Sequence, residues 1–169
     1  MKVLKDYEIK YLNRTKDHIA SVNEFASKID KSYPNHDKDK LNELFDAYSL
    51  MMKKDTFGGS NSADNLSGLT KAESDKLNEA TFKHITSNKH HPECWTKIKS
   101  FDRANPQPSL DCRNMSFEAI DEMLCDWCAM SKEFGNTPQE WMDKTVPSRW
   151  VFSQAQTDYM KKMLNKLWG

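Results

Sequence analysis

The sequence of 169 residues lacks several features that would assign it to a specialised class of protein. Its 25 basic and 25 acidic side chains cancel to a formal charge of zero, so no overall field attracts it to nucleic acid or to anionic membranes. It contains no run of 18 apolar residues, and the apolar stretch in its first ten residues is too short for a signal peptide. We therefore expect a cytoplasmic protein that makes no membrane contact and no stable nucleic-acid complex.

Cysteine is also scarce. Cys94, Cys112, Cys125 and Cys128 are the only four in the chain. A chain of this length can bury a core without disulfides or a structural metal, and disulfide frameworks are typical of shorter secreted chains. We therefore expect four reduced thiols.

Alternating runs of β-branched residues, which indicate strands, are missing as well, whereas apolar residues recur at helical spacing. Three segments place Thr or Ser three residues before Glu or Gln, the pattern of a helix-starting capping box: Thr70 to Glu73, Thr137 to Glu140 and Ser153 to Gln156. We predict one all-α domain over residues 1–169, a bundle of five to six helices. The predicted helices span residues 5–30, 38–54, 71–87, 116–132, 138–144 and 153–167. A Gly/Ser/Asn-rich stretch at 55–69 is predicted to be a flexible loop.

The histidines are the most informative residues. All five fall in an ordered series with two aspartates, each beside or within a predicted helix: His18, His36, Asp37, His84, His90, His91 and Asp126. Imidazole and carboxylate groups are the ligands of mid-row divalent metals, and two neighbouring ions need about this many. One histidine among apolar residues is more often a hydrogen-bonded core residue, so it is the ordered series that indicates a metal site.

Two carboxylates of the predicted helix 116–132 belong to the same argument. Asp126 lies among apolar residues, where a carboxylate without a metal or a strong donor would cost several kcal/mol. Glu122 lies one turn earlier on the same face. It is interpreted as a metal ligand, as an outer partner that orients a histidine or as a solvated charge, and the last two interpretations are favoured.

Three motifs resemble those of known proteins. His36 to Lys40 resembles the HDxxK motif of the HD superfamily of metal-dependent phosphohydrolases, and His90 to Glu93 resembles the paired histidine and glutamate of its binuclear phosphodiesterases. The patterns NxHHPExW, at Asn88 to Trp95, and EMLxDW, at Glu122 to Trp127, are more similar to a group of short, uncharacterised HD-like proteins of phages and bacteria. The likeness covers residues 15–135 and implies an HD-like helical fold. The Gly-Tyr-Pro element of the cyclic-dinucleotide phosphodiesterases is absent.

The resemblance implies two groups of metal ligands. The first metal would be bound by His18, His36, Asp37 and Asp126. Asp37 would bridge to a second metal, completed by His84 and by one or both of His90 and His91. The cofactor would be one or two divalent ions of iron, manganese, cobalt, nickel or zinc.

The remaining roles rest on the resemblance for Asp37 and Lys40, and on position in the sequence for Trp95 and Glu122. Asp37 and Lys40 would be catalytic, Lys40 by stabilising charge on the phosphoryl group. Lys40 and Trp95 would contact the substrate, and Glu93 and Glu122 would orient metal ligands. Three further cations are candidates for phosphate recognition by their proximity in sequence: Lys38, Lys89 and Arg103.

We therefore predict an enzyme, a metal-dependent phosphohydrolase or phosphodiesterase that cleaves a nucleotide or a nucleotide-derived signal. Its partner would be that small molecule, and a homodimer is the assembly that related helical phosphohydrolases often form. Two alternative functions also involve a bound metal. The first is a diiron oxygenase of HD fold that acts on a small molecule, and the second is a non-catalytic nucleotide-binding protein whose metal joins helices.

A zinc nucleobase deaminase is a further alternative. His91 to Glu93 followed by Cys125 and Cys128 imitates the deaminase ligand signature, although Leu124 stands where a proline should precede the first cysteine.

Overall fold

The computed structural model describes residues 2–53 and 68–169 in full and residues 54–56 as helical backbone. Most of this part of the chain is α-helical, as predicted for an all-α fold. The helices are α1 Asp6–Ser27, α2 Lys38–Leu41, α3 Phe45–Tyr48, α4 Leu50–Thr56, α5 Lys71–Ser87, α6 Phe117–Phe134, α7 Pro138–Thr145 and α8 Gln154–Trp168. Two short strands, β1 Leu110–Asp111 and β2 Trp150–Val151, form a parallel pair. A 3₁₀ helix spans Pro92–Trp95.

All three predicted capping boxes are present. The Thr137 hydroxyl accepts a hydrogen bond from the Glu140 amide, and the Glu140 carboxylate accepts one from the Thr137 amide. The same reciprocal bonds start α8 at Ser153 and α5 at Thr70. Each box satisfies amide groups that have no partner within the first turn of a helix.

The helix predicted over residues 38–54 is wrong as a single element. The structure divides it into α2, α3 and α4. Asn42 ends α2, where its side-chain amide donates to the Lys38 carbonyl at 2.8 Å and its backbone leaves the helical region. A short polar side chain that bonds the backbone in this way competes with the helix.

The loop predicted at 55–69 is tested only at its ends. Asp55 and Thr56 belong to α4, so the prediction was wrong there. Residues 57–67 lie outside the described residues.

The described chain is divided into two units. The first unit comprises Met1–Asp17, Asp37–His84 and Lys99–Pro106, and the second comprises His18–His36, Ile85–Ile98 and Gln107–Gly169. Each has its own apolar core. The core of the first unit includes Tyr11, Tyr48 and Leu77, and that of the second is larger and is built where α6, α7 and α8 pack together. The single domain predicted from the sequence stays a prediction.

A search of the described residues finds no helix that is both long and apolar enough to cross a membrane.

Candidate metal centre

In the second unit, Glu122 and Asp126 extend from one face of α6. They are four residues apart, which places their side chains on neighbouring turns. The opposite face carries Leu124 and Cys128, which are fully buried in the core. Core packing of α6 therefore fixes the direction in which the two carboxylates point.

Glu122 contacts two histidine rings. His36 Nδ1 donates a hydrogen bond to Glu122 Oε1 at 2.8 Å, and His90 Nδ1 lies 3.3 Å from the same oxygen. A carboxylate only accepts hydrogen bonds, so each neutral ring carries its proton on Nδ1 and keeps the lone pair on Nε2. A carboxylate in this position is the usual outer partner of a metal-binding histidine, and that role of Glu122 stays a prediction.

The electrostatics of Glu122 agree with this arrangement. Burial alone would raise the pKa of the Glu122 carboxyl, but the hydrogen bonds with His36 and His90 outweigh it and lower the pKa to about 2. Glu122 is therefore ionised at neutral pH and accepts from both rings.

The ligand atoms of three residues converge in this unit. His36, His90 and Asp126 each offer one atom, and these atoms lie within 4.8 Å of one another. Asp126 Oδ1 lies 3.9 Å from His36 Nε2 and 3.1 Å from His18 Nε2. Two atoms bonded to one ion at about 2.0–2.2 Å are separated by roughly 3–4 Å, so the spacing fits a shared divalent ion. The second unit therefore contains a His/Asp cluster compatible with a metal site.

The turn before His36 is fixed by hydrogen bonds with the Asn23 side chain. The Asn23 side chain, on α1, accepts from the Tyr33 amide at 2.6 Å and donates to the Tyr33 carbonyl at 3.1 Å. The Tyr33 carbonyl also accepts from the His36 amide at 3.1 Å. Asn23 thus fixes the backbone that presents His36, a role that the sequence pattern did not indicate.

His90 and His91 lie between α5 and the 3₁₀ helix. The backbone of His91 is extended, as expected before Pro92. The ring centroids of the two histidines are 4.3 Å apart, and that of His90 is also 4.3 Å from that of His36. His90 is buried and His91 is half-buried.

The first unit contains a second group of predicted site residues. Asp37 is buried and has a φ of 53°, in the left-handed region that few non-glycine residues occupy. Its Oδ2 accepts a hydrogen bond from Lys40 Nζ at 2.7 Å, and its Oδ1 lies 3.1 Å from His84 Nε2. Backbone strain of this kind is concentrated at functional sites, where surrounding contacts maintain it.

His84 is oriented in the same way as the histidines of the second unit. Its Nδ1 donates to Asp39 Oδ2 at 2.8 Å, which leaves Nε2 as the nitrogen directed to Asp37. Asp39 was not among the predicted site residues, because the histidine that it orients lies 45 residues later in the chain.

A model of a family of unknown function, DUF5662, matches residues 7–167. The chain belongs to this family. No curated protein and no solved structure matches the chain.

In this DUF5662 member, two further predicted site residues, Glu93 and Trp95, form hydrogen bonds within the protein. Glu93 is buried and accepts hydrogen bonds from Trp150 Nε1 at 3.0 Å and from the Arg149 guanidinium at 3.3 Å. It therefore fastens the 3₁₀ helix to β2. Trp95 Nε1 donates to the Lys89 carbonyl at 2.8 Å and closes the loop that carries His90 and His91.

The cysteines do not form the ligand set of a deaminase. Cys125 and Cys128 are fully buried in the core of the second unit. Both side chains pack in the core, where burial raises the pKa of each thiol to about 12. Within the described residues, no group of convergent metal-binding side chains includes a cysteine.

Proposed function

We propose that this protein is a metal-dependent phosphohydrolase that cleaves a phosphate ester or phosphodiester of a nucleotide or nucleotide-derived signal. The observation that supports the proposal best is that Glu122 contacts Nδ1 of both His36 and His90, while these two histidines and Asp126 each offer a ligand atom within 4.8 Å of the others. A core histidine needs only one hydrogen-bond partner, whereas a shared outer carboxylate is typical of a metal centre. The sequence resemblance to HD phosphohydrolases supplies the reaction class.

In the second unit, His18, His36, His90 and Asp126 would hold one ion. Three neutral imidazoles and one carboxylate match the preference of iron, cobalt, nickel and zinc for mixed nitrogen and oxygen ligands. In the first unit, Asp37 and His84 are the proposed ligands of a second ion. When bound, a divalent metal supplies an activated water and polarises a phosphoryl oxygen.

The chain's own residues would orient the reaction. Asp39 and Glu122 hold their histidines in the tautomer that exposes Nε2. Lys40 is half-buried beside Asp37, where a cation can stabilise negative charge on a phosphoryl group more strongly than it would in open solvent. Asp37 in turn limits the positions available to the Lys40 ammonium.

A hydrolysis screen tests the proposal. The full chain would be loaded separately with each of the candidate metals, and phosphate or nucleotide release would be measured from nucleoside phosphates and cyclic nucleotides. We expect turnover that chelation abolishes and that Asp37→Ala eliminates. Asp75→Ala is the matched control, because Asp75 is an exposed aspartate of the first unit that pairs with Lys71.

Other outcomes would favour the alternatives. Dioxygen consumption by the iron form, without hydrolysis, would indicate an oxygenase. Metal that raises the melting temperature but supports no turnover on any substrate would indicate a structural metal. Either result would contradict the proposed hydrolase.

A further inference from the structure

A second carboxylate of α6, Asp121, directly precedes Glu122, whose side chain contacts the histidine rings of the second unit. The Asp121 carboxylate accepts two hydrogen bonds of 2.6 Å, one from Lys31 Nζ and one from the Tyr159 hydroxyl. Asp121 is buried and Lys31 is half-buried, and all three residues belong to the second unit. Asp121 therefore joins two other parts of this unit to α6, the turn that follows α1 and the helix α8.

Lys31 begins the segment of chain that carries His36. After Ser27, α1 ends in a Schellman motif, in which the Lys31 amide donates to the Ala26 carbonyl at 3.0 Å and the Asp30 amide donates to the Ser27 carbonyl at 3.2 Å. Asp30 is the left-handed residue of this motif, with a φ of 58°. The chain thus leaves α1 at Lys31 and runs from there to His36.

The segment from Lys31 to His36 is attached to α6 at both of its ends. At its start the Lys31 ammonium binds Asp121, and at its end His36 Nδ1 donates to Glu122 at 2.8 Å. Asp121 and Glu122 are consecutive residues of one helix, so their side chains diverge by about 100° around its axis. The segment is short, and a displacement of Lys31 would therefore move His36.

The ion pair between Lys31 and Asp121 suits a positioning role better than a stabilising one. Taking a carboxylate out of water costs much of the free energy that its attraction to a lysine supplies, so a buried pair contributes little net stability. Charge-assisted hydrogen bonds are nevertheless short and directional, and they fix the groups that they join. Metal ligands need such support, because a working site holds its ligands within about 0.5 Å of the required geometry.

We infer that Asp121, through its ion pair with Lys31, positions His36 as a ligand of the metal. The inference rests on the metal centre of the proposed function and adds a positioning residue to it. Tyr159 would hold the Asp121 carboxylate in the orientation that meets Lys31.

The metal affinity of the full chain tests the inference. Zinc would be titrated in competition with a chromophoric chelator, and the affinity compared for the equivalent that Asp126→Ala removes. We expect Lys31→Met to weaken this binding about 10-fold, the lower end of the loss that follows removal of an outer partner. Lys31→Arg should recover most of the affinity, because it keeps a charged donor for Asp121. The matched control is Lys132→Met, which removes an exposed ion pair between α6 and Glu24 of α1 and should bind zinc as the wild type does.

Further measurements separate a positioning role from a merely structural one. Affinities would be compared at a temperature where circular dichroism shows every variant to be folded. The visible absorption of the cobalt form, which reports the ligands around the ion, should change in Lys31→Met and stay unchanged in Lys132→Met. Asp121→Asn keeps the shape of the side chain and should cause a similar loss, and the double variant with Lys31→Met should lose no more than either single variant.

Three results would overturn the inference. They are zinc affinity within about threefold of the wild type in folded Lys31→Met or Asp121→Asn, an unchanged cobalt spectrum in Lys31→Met, and losses of the two single variants that simply add in the double variant. The inference and the hydrolase also fail separately. Metal binding that depends on Lys31, without hydrolysis of any substrate, would refute the hydrolase and support the positioning role. Metal-dependent hydrolysis with unchanged metal affinity in Lys31→Met would overturn the positioning role alone.

Discussion

Glu122→Gln is the substitution that most directly tests how the histidines of the second unit are oriented. The glutamine side chain has nearly the same shape, but its amide nitrogen donates instead of accepting. In the native protein, Glu122 Oε1 contacts both His36 Nδ1 and His90 Nδ1. The substitution removes the charge that fixes both ring tautomers, while Asp126 and the backbone of α6 stay in place.

The expected loss of metal affinity follows from these two contacts. Loss of one outer-partner carboxylate lowers metal affinity about 10- to 100-fold, or roughly 1.4–2.8 kcal/mol. Because Glu122 serves two rings, we expect a loss near the upper end of this range. The folded state should persist, since the carboxylate is partly exposed and the core face of α6 is untouched.

Competition with a chromophoric chelator would measure the affinity for zinc or cobalt, and circular dichroism would confirm the helix content. Glu118→Gln is the matched control, because Glu118 is an exposed glutamate of α6 that lies one turn before Glu122. Its affinity should match the wild type. The reasoning would be refuted if Glu122→Gln, with unchanged helix content, bound metal within about threefold of the wild type.

Four further predictions concern other parts of the molecule. Asp39→Asn should lower metal-dependent turnover about 10- to 100-fold, because His84 loses the carboxylate that fixes its tautomer; a loss under about twofold would contradict this. Titration with a thiol reagent at neutral pH should modify Cys94 first, since the other three thiols are buried and their pKa is raised to about 12. These three thiols stay protonated in the folded state, so the free energy of unfolding should fall as the pH rises from about 9 towards 12, measured by urea titration; a constant value would be inconsistent. Leu164→Ala should lower the free energy of unfolding by about 2–5 kcal/mol, whereas the exposed Lys162→Ala should change it by less than about 0.5 kcal/mol.

The sequence predicted the helices best where local chemistry determines them. The capping boxes at Thr70, Thr137 and Ser153 form because each needs only residues three positions apart. The break at Asn42 was not predicted, since the apolar spacing of residues 38–54 is helical and a single side-chain bond to the backbone interrupts it. The parallel pair of β1 and β2 was also missed, because strands of two residues leave no alternating pattern.

The candidate site also combines residues whose roles could be predicted from the sequence with residues whose roles could not. Ligand types were predictable, because histidine and aspartate in an ordered series indicate metal chemistry, and Glu122 was recognisable from its spacing to Asp126. Asp39 and Asn23 were not, because their roles depend on contacts with His84 and Tyr33, which lie 45 and 10 residues away. Glu93 was predicted to orient a metal ligand, but its contacts with Arg149 and Trp150 depend on a strand more than 50 residues later in the chain.

Metal content is the most direct test of the central claim that the second unit binds a divalent ion. Wild-type protein, Asp126→Ala and the exposed control Asp158→Ala would each be incubated with iron, manganese, cobalt, nickel or zinc, desalted and subjected to elemental analysis. We predict at least one bound equivalent in the wild type and in Asp158→Ala, with a marked loss in Asp126→Ala. Absence of bound metal in the wild type with all five ions, or full retention in Asp126→Ala, would contradict the account.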